Sequence, residues 1–557
     1  MKTQTHILML QKLKFILFVL GTVVFTSCDE EFLETKPTDA ISAADALATA
    51  ENMSLILNGL HRGLYAQSQT IFPGGDSQRA GNHYWIPLDD NIAGGVIHTA
   101  PANNLGWQNE TRWTSHTQET SLTTELLWYH RYNTISSANA IINRVAEGDL
   151  PMDGRLNEIA GQAYTYRAYS YLSLIQHYAK GYLIGNPSTD PGVPLLFASE
   201  APFTSAPRST VQEVYDQMVE DINTAIEFFE DATPRPTGSA AAKSQLNIDV
   251  AYGLKARIAL SMGDWETAAT AAARARRDYP LMSEADWKSG FNTTLLPEVI
   301  WGSNVITTET TFFRSYFYLI CNTFNGSQNR NNPKIVDKRL YDQIPDTDYR
   351  KDVFLADAPN ENTSASNGNG GFANNTNPLY PTREDFNRAI DSLGSVYGWT
   401  SAHNTHPYMH VKFLQQNPGS TDPDDIIYMR SAEMYLIEAE ARAMLDDIDG
   451  AQLALMPLGI ARDSGYDASV FGTKESLMEH IKFQRGVELY GEGFLYTDKI
   501  RWDEGIDHSA NGGSGASETL YQAGFKQDKP SVNDDWIFKI PQKEIDANPN
   551  LGPGDQN

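Results

Sequence analysis

Aromatic and polar side chains that could bind a ligand are concentrated in two stretches rich in glycine, asparagine and proline. Flat aromatic rings suit sugars, because the C–H face of a pyranose ring is apolar while its hydroxyl groups need hydrogen bonds. The aromatic candidates are Trp85, Trp107, Trp113, Trp301, Phe312, Phe313, Tyr316, Tyr318 and Trp399. The polar candidates are Asp89, Asp90, Asn91, Asn103, Asn104, Asn109 and Arg314. This combination favours a carbohydrate-binding surface.

The exposure of each ring decides whether it binds a ligand or fills the core. Trp85 and Trp301 border apolar runs, so burial is an open alternative for both. Trp107 lies within Asn-Leu-Gly-Trp-Gln-Asn, whose polar neighbours favour an exposed ring. We therefore expect Trp107 to be the principal ligand contact, although core packing remains the alternative for every tryptophan because of the area it buries.

Catalytic and metal-binding patterns are weak. Asp89 and Asp90 are adjacent, so in an extended segment their side chains point apart and make a poor acid–base pair. His403 and His406 form only a loose pair, and no nucleophile elbow or phosphate-binding glycine loop occurs. We expect no cofactor beyond a structural calcium that loop carboxylates and carbonyls could hold. An all-helical glycoside hydrolase remains an alternative, and it needs two carboxyl groups roughly 5–9.5 Å apart.

The first 27 residues have the pattern of a cleaved export signal. Three lysines accompany the apolar run 15–25, which is shorter than the ~20 residues a membrane span needs. Small residues then lead to Cys28, as in a bacterial lipobox, so we expect Cys28 to carry lipid; an ordinary signal peptide with an incidental cysteine is the alternative. The acidic run 29–31 resembles a surface-export signal of Bacteroidetes lipoproteins. The other cysteine, Cys321, then has no disulfide partner and is expected to be a small buried hydrophobe.

The charge of the chain excludes one class of partner. The formal net charge is −27. A surface this acidic repels nucleic acid and anionic lipid. We therefore expect membrane association through the lipid on Cys28 and no nucleic-acid partner.

Helical periodicity predicts the elements that must position the candidate residues. Single helices are predicted over 122–146, 157–178, 207–229 (with a Thr210–Glu213 capping box) and 474–490. Helix pairs are predicted over 248–278, turning at Gly263-Asp264, and over 428–464, turning near Asp449-Gly450. Such pairs are tetratricopeptide-like, and they stack to bury their apolar faces.

The predicted fold is therefore dominated by α-helices. After the signal peptide at 1–27, we expect a single domain over 28–557. Its tetratricopeptide-like scaffold covers about 40–67, 122–285 and 426–504. Loop-rich insertions over about 68–121 and 286–425 are expected to form the binding face.

A series of short motifs carries a family resemblance along essentially the whole chain. The motifs are 31–37 after Cys28, Arg167-Ala168 with Tyr171-Leu172, 207–211 before Glu213-Val214-Tyr215, 254–257, 430–433 with 438–441, Arg485 with Glu488-Leu489, Glu492-Gly493 with 498–502, and Ile540-Pro541 with Glu544-Ile545 and Asn548-Pro549. In this order they resemble the SusD/RagB family of surface nutrient-binding lipoproteins. The resemblance implies a non-catalytic outer-membrane protein that delivers an oligosaccharide to a TonB-dependent SusC-like transporter. Some relatives resemble peptide importers, so a peptide ligand is a further alternative.

The charged residues of these motifs are expected to be structural. They are Arg430, Glu433, Arg485, Glu488, Glu492, Asp498 and Arg501. Opposite charges on packed helices can pair, and buried pairs fix one arrangement of the helices. A polar catalytic cluster is the alternative interpretation.

Overall fold

The computed structural model describes residues 42–67, 79–98, 107–198, 205–361, 371–399, 403–507, 528–529 and 531–557. Cys28, Asn103 and Asn104 lie outside these ranges. The longer helices are α1 (Ala50–Gly63), α2 (Asn82–Ile92), α3 (Leu122–Ala146), α4 (Gly154–Tyr178), α5 (Val211–Glu230), α6 (Ile248–Met262), α7 (Trp265–Ala275), α8 (Arg383–Tyr397), α9 (Ser431–Met444), α10 (Ile448–Arg462), α11 (Lys474–Glu488) and α12 (Leu495–Trp502). Shorter helices are Ala43–Ala46, Gln108–Thr111, Glu284–Trp287, Tyr316–Ile320, Ser327–Asn331, Lys338–Tyr341 and Gln542–Ala547.

The helices form the predicted scaffold of stacked pairs. Helix α4 packs between α3 and α5, α6 packs between α5 and α7, and α9 continues the stack against α7, α10 and α11. The predicted capping box of α5 is present, with the Thr210 hydroxyl accepting from the backbone of Glu213. Gly263 ends α6 at φ 76°, and Asp264 caps α7. The tetratricopeptide-like helical fold predicted from the sequence is therefore confirmed.

The C-terminal pair α9–α10 has a small core of its own, closed by α11. Its members are Ala432, Leu436, Ala439, Ala443, Ala451, Ala454, Leu455, Leu458, Leu477, Ile481 and Leu489. The turn lies at 445–447 rather than at Asp449-Gly450, because Asp446 takes φ 61° and Asp447 caps α10. None of the helices in the described ranges has both the length and the hydropathy that a bilayer-spanning segment requires.

The segments between the scaffold helices contain small antiparallel sheets. The strands are β1 (Val96–His98), β2 (Val299–Ser303), β3 (Lys334–Val336), β4 (Phe354–Leu355), β5 (Met409–His410), β6 (Ile426–Arg430), β7 (Ile506–Asp507) and β8 (Asp528–Lys529). One sheet has the order β1-β3-β5-β4, and β2–β6 and β7–β8 form two-stranded ribbons. His98 pairs with Lys334, and the pairing of Ile335 with Met409 places His410 beside Lys334 on the other side. His98, Lys334 and His410 thus form a row, which we call the basic row.

Helix α2 is a structured part of the first predicted loop region. It contains Pro87, and its residues are almost all buried. The carboxylate of Asp90 accepts the backbone N–H groups of Gly493 at 3.0 Å and Leu495 at 3.1 Å. This carboxylate therefore ties α2 to the start of α12, 403 residues further along the chain.

Buried ion pairs join the C-terminal helices, as the motif residues predict. Glu488 accepts hydrogen bonds from Arg430 at 2.6 Å, from Arg350 at 2.9 Å and from Arg462 at 3.1 Å. We call this group, completed by Glu298, Glu492, Lys412 and Asp348, the arginine cluster. Other motif pairs are Arg257–Glu433, Arg485–Asp498 and Arg501–Glu440.

Candidate binding site

Most of the residues predicted to bind a ligand are buried. The buried ones are Trp85, Asp89, Asp90, Asn91, Trp107, Trp113, Trp301, Tyr316, Tyr318 and Trp399. The expectation that Trp107 is exposed is wrong, since its relative exposure is 0%. Its ring stacks on His98 with centroids 5.4 Å apart, and it packs against Tyr84 at 5.5 Å. The short helix Gln108–Thr111 begins directly after Trp107, and the exposed polar neighbour is Asn109 instead.

The other tryptophans pack against further parts of the core. Trp113 lies edge-on to Trp536 at 4.9 Å, and its indole N–H donates to the carbonyl of Ile92. Trp301 meets Tyr169 and Tyr428 at 5.1 and 5.0 Å. Both side chains are almost fully buried, at 4% and 2% exposure. A pyranose could stack on them only after the core had opened.

The acidic candidates of α2 also have partners inside the protein. The segment is helical rather than extended, so Asp89 and Asp90 reach different neighbours. Asp89 accepts from the His177 ring at 3.1 Å, whereas Asp90 accepts the two backbone N–H groups of the α12 start. Burial raises the pKa of Asp90 to about 7, and the two backbone hydrogen bonds oppose that rise. Asn91 is held between the Val96 carbonyl and the Thr111 hydroxyl.

The predicted residues that reach the surface are Asn109, Phe312, Phe313 and Arg314. Phe312 is 48% exposed and Phe313 and Arg314 are half-buried. Both phenylalanine rings lean on the buried ring of Tyr318, at 6.4 and 5.3 Å, and the Arg314 guanidinium lies 5.0 Å from the Phe313 ring centroid. Arg314 has φ 60°, so the backbone turns sharply here. We call Phe312, Phe313 and Arg314 the aromatic platform.

The platform is anchored on the end of α1. The Tyr65 hydroxyl donates to Glu309 at 2.6 Å, and Arg62 lies 3.2 Å from the same carboxylate oxygen. The backbone N–H of Thr311 donates to the Gln67 side chain at 3.2 Å. Ile306, 49% exposed, adds apolar surface on the same segment. Ile306 was not among the predicted residues, although the polar run 307–311 that follows it is a signal of exposure.

The Arg314 charge acts on the buried Tyr84 ring. Burial and the neighbouring Glu110 carboxylate raise the pKa of Tyr84, and the charges of Arg79 and Arg314 oppose that shift. Tyr84 in turn packs on Trp107.

A cavity of about 120 Å³ between the scaffold helices is lined by carboxylates that are already paired, among them Glu433 and Asp498. Glu433 receives two hydrogen bonds from Arg257, and Asp498 receives two from Arg485. A glycoside hydrolase needs one carboxyl group that gives up a proton and another that attacks or activates water. Paired carboxylates of this kind hold helices together and serve poorly in either role. Within the described ranges, no group of three or more His, Cys, Asp or Glu residues is arranged to hold a metal ion.

Two family models match the chain. The model described as "SusD family" matches residues 273–557, just over half of the chain, and the model described as "Starch-binding associating with outer membrane" matches residues 90–258. No curated protein matches the chain at a significant level.

Solved structures show the same fold. A SusD-like carbohydrate binding protein from Bacteroides vulgatus is similar over 91% of this chain and 98% of its own, with 22% identity and a TM-score of 0.68. A SusD superfamily protein from Bacteroides thetaiotaomicron matches over 91% and 99%, with 21% identity and a TM-score of 0.67. Surface glycan-binding protein A from the same organism, in complex with laminarihexaose, matches over 90% and 98%, with 15% identity and a TM-score of 0.58. These structures establish the fold, and the family model that matches more than half of the chain establishes the family: the chain belongs to the SusD family.

Proposed function

We propose that this protein binds an oligosaccharide at the bacterial cell surface without cleaving it and delivers it to a TonB-dependent outer-membrane transporter. The observation that carries the proposal is the aromatic platform, which presents an exposed ring beside a guanidinium group on an anchored segment. Family membership supports the binding role, and a neighbour of the same fold was solved with laminarihexaose.

The chemistry of the platform suits a sugar. The exposed face of Phe312 can cover the apolar face of a pyranose ring, while the N–H groups of Arg314 can donate to hydroxyl oxygens at the ring edge. Tyr318 behind the phenylalanines limits their movement, so little side-chain entropy is lost on binding. A peptide could use the same aromatic and cationic groups, and it is the second ligand class to test.

Binding is tested with the soluble domain and a panel of glycans that begins with laminarihexaose. Phe312→Ala, Phe313→Ala and Arg314→Ala are each expected to weaken binding at least tenfold, which corresponds to about 1.4 kcal/mol. Leu453→Ala is the matched control, because Leu453 is 72% exposed on α10 and lies outside the platform. Equal affinities for all four variants and the wild type would place the ligand elsewhere.

The alternatives give different results in the same assay. Shortened glycan products after incubation would support the hydrolase, and binding of peptides without binding of any glycan would support the peptide importer. Binding without cleavage is the expected result. Chromatography of the incubated glycans separates these outcomes.

The membrane anchor and the transporter need a cellular test. Cys28→Ala is expected to release the folded protein from the membrane fraction, because residue 28 would be the only lipidated position. Mild-detergent extraction is expected to co-purify a TonB-dependent transporter with the wild type. Tethering raises the local concentration of the partners, so a modest interface suffices. A Cys28→Ala protein that still sediments with membranes would contradict the anchor.

A further inference from the structure

A pocket of about 500 Å³ lies between α11 and α12, and we call it the α11–α12 pocket. Its volume falls within the range of roughly 300–1,000 Å³ that is typical of small-molecule sites. Residues three and four positions apart share one face of a helix. Such a face lines the pocket on each helix, formed by Lys482, Phe483 and Gly486 on α11 and by Leu495, Lys499 and Trp502 on α12. All six are half-buried, so each keeps accessible surface.

The pocket is open to solvent. Gln343 and Glu479 also line it, and both are exposed. A molecule of the size of a sugar can therefore reach the lining side chains without unfolding of the surrounding helices.

Gly486 leaves space for a ligand on the α11 side. Glycine is less favourable than alanine inside a helix, because it loses more backbone freedom on folding. The backbone of Gly486 does not have a positive φ, so its conformation does not require glycine. A Cβ atom at this position would meet only Leu340 outside the backbone of α11, at 3.4 Å, so no close helix contact requires glycine either. Leu340 itself lines the pocket, and a larger side chain at position 486 would therefore occupy the pocket.

Apolar side chains form much of the pocket wall. Leu340, Phe483, Phe494 and Leu495 line it, and all four are only half-buried. Removing partly exposed apolar surface from water favours binding. The wall therefore suits a ligand that has an apolar face.

Charged groups of both signs also line the pocket, and they are paired with one another. Lys482 donates to Glu504 at 2.5 Å, and Arg339 donates to Asp337 at 2.5 Å. The side chains of both pairs are partly exposed. A carboxylate has about four lone-pair sites and an ammonium group has three N–H donors, so each group can make further hydrogen bonds. Hydroxyl groups can donate to these carboxylates and accept from these cations without breaking either pair.

Lys499 lies close to both pairs. Burial lowers the pKa of Lys499, and the Glu504 and Asp337 charges oppose this shift, whereas the Arg339 and Lys482 charges add to it. The paired groups therefore act on one site and belong to one polar cluster beside the apolar wall.

We propose that the α11–α12 pocket is a binding site for a neutral mono- or disaccharide. The apolar wall suits the C–H face of a pyranose ring, and the paired charges suit its hydroxyl groups. A purely apolar ligand would remove water from the charged pairs without replacing its hydrogen bonds, and a charged ligand would have to compete with the pairs. The pocket shares no residue with the aromatic platform, so it can bind a sugar whether or not the platform does.

Ligand-observed NMR tests binding in solution. Glucose, galactose, mannose, maltose and laminaribiose are titrated into the soluble domain, and saturation transfer to each sugar is measured. At least one sugar is expected to bind saturably, and Gly486→Leu is expected to weaken its binding by about tenfold or more, because the new side chain fills the pocket. Gly486→Ala adds a single methyl group and is the matched control that should keep binding. No saturable binding of any of these sugars, or equal binding in the two variants, would overturn the proposal.

Phe312→Ala separates the pocket from the platform. Sugar binding that persists in Phe312→Ala and is lost in Gly486→Leu supports the pocket, whatever the outcome for longer glycans on the platform. Sugar binding that is lost in Phe312→Ala and kept in Gly486→Leu would overturn the pocket and leave the proposed function intact.

Two further probes test the chemistry of recognition. Sorbitol carries the hydroxyl groups of a sugar without a ring, and cyclohexanol carries an apolar ring with a single hydroxyl group. Both are expected to bind about tenfold or more weakly than the best sugar, because each offers only half of the required chemistry. Equal binding of either probe would overturn the assignment of the pocket to saccharides.

A crystal structure with the tightest-binding sugar shows where it lies in the wild-type protein. The expected result is a sugar between α11 and α12, with hydroxyl groups within hydrogen-bond distance of Lys482 or Glu504. A sugar on the platform alone, or a pocket filled by the protein's own residues, would overturn the proposal.

Discussion

The arginine cluster and the basic row are two buried groups of charged residues that solve the same physical problem differently. In the cluster, four cations (Arg350, Arg430, Arg462 and Lys412) meet four carboxylates (Glu298, Glu488, Glu492 and Asp348). The basic row contains His98, Lys334 and His410 at 3%, 0% and 0% exposure, with no acidic residue among them. Charge is matched in one region and removed in the other.

The residues of the basic row avoid the cost of burying a charge by losing their protons. Burial lowers the pKa of Lys334 to about 7 and that of His410 to about 3, and it also lowers the pKa of His98. The Lys334 Nζ has no hydrogen-bond acceptor among the described residues, as expected for an amine that need not be charged. By contrast, three arginines hold the pKa of Glu488 well below its usual range, against the effect of burial. Paired charges join helices that are far apart in sequence, whereas a neutral row requires only that water be kept out.

The largest expected effect comes from breaking the arginine cluster. Glu488→Gln removes the negative charge that pairs with Arg350, Arg430 and Arg462. We expect this substitution to lower the free energy of unfolding by about 5 kcal/mol. Chemical denaturation measures this loss. Glu384→Gln is the control, since the Glu384–Arg388 pair is exposed and should be worth less than about 1 kcal/mol. A loss for Glu488→Gln as small as that of the control would mean that the cluster does not hold the helices together.

The next largest effect is expected from Trp107, whose ring stacks on His98 of the basic row. Trp107→Ala removes a fully buried ring that stacks on His98, and we expect a loss of about 3–4 kcal/mol in unfolding free energy. Water should then reach the row and raise the pKa of His98 towards its ordinary value. Denaturant unfolding and NMR titration of His98 measure the two consequences. A stable variant with weakened glycan binding would instead restore Trp107 as a ligand contact.

A smaller effect distinguishes the two regions by pH. Lys334 holds its proton up to pH ~10.4 when unfolded but only up to about 7 when folded, so the unfolded chain binds more protons between these values. Stability contributed by this group therefore rises with pH from about 7 to 10, by about 1.4 kcal/mol per pH unit. Lys334→Met is expected to reduce the slope between pH 7.5 and 9.5 by that amount. Identical slopes for wild type and variant would show that Lys334 is charged in the folded protein.

The smallest stability effect is expected on the platform. Phe312→Ala removes a half-exposed ring from a segment that is anchored by other residues, so its unfolding free energy should change by less than about 0.5 kcal/mol. Thermal unfolding beside the Trp107→Ala protein gives the comparison. A loss equal to that of Trp107→Ala would make Phe312 a core residue.

The helical scaffold could be predicted because its signals are local. Apolar spacing and an N-cap serine define α3, and its bounds, Leu122–Ala146, are those predicted. The capping box of α5 and the glycine at the end of α6 are equally local. Helix α2 was not predicted, because Pro87 and a mixture of polar and aromatic residues obscure the helical spacing of its apolar residues.

The candidate binding surface could be predicted only in part, because exposure depends on residues distant in sequence. Trp107 has polar chain neighbours, yet it is fully buried, with Tyr84 and His98 packed against its ring. Phe312 and Phe313, two of the predicted ligand contacts, do reach the surface, where both pack on Tyr318. Nothing in a short window of sequence distinguishes these two situations.

The Asp90 carboxylate has a consequence for the order in which the chain folds. Its two backbone partners lie more than 400 residues after it in the chain, so α2 cannot reach its final arrangement until α12 has been synthesised. Contacts between such distant segments slow folding, because a long loop must close before they form. The helix pairs of the scaffold are local and can assemble earlier. The α2 region should therefore acquire hydrogen-exchange protection last during refolding, with Asp90→Asn changing chiefly this final phase.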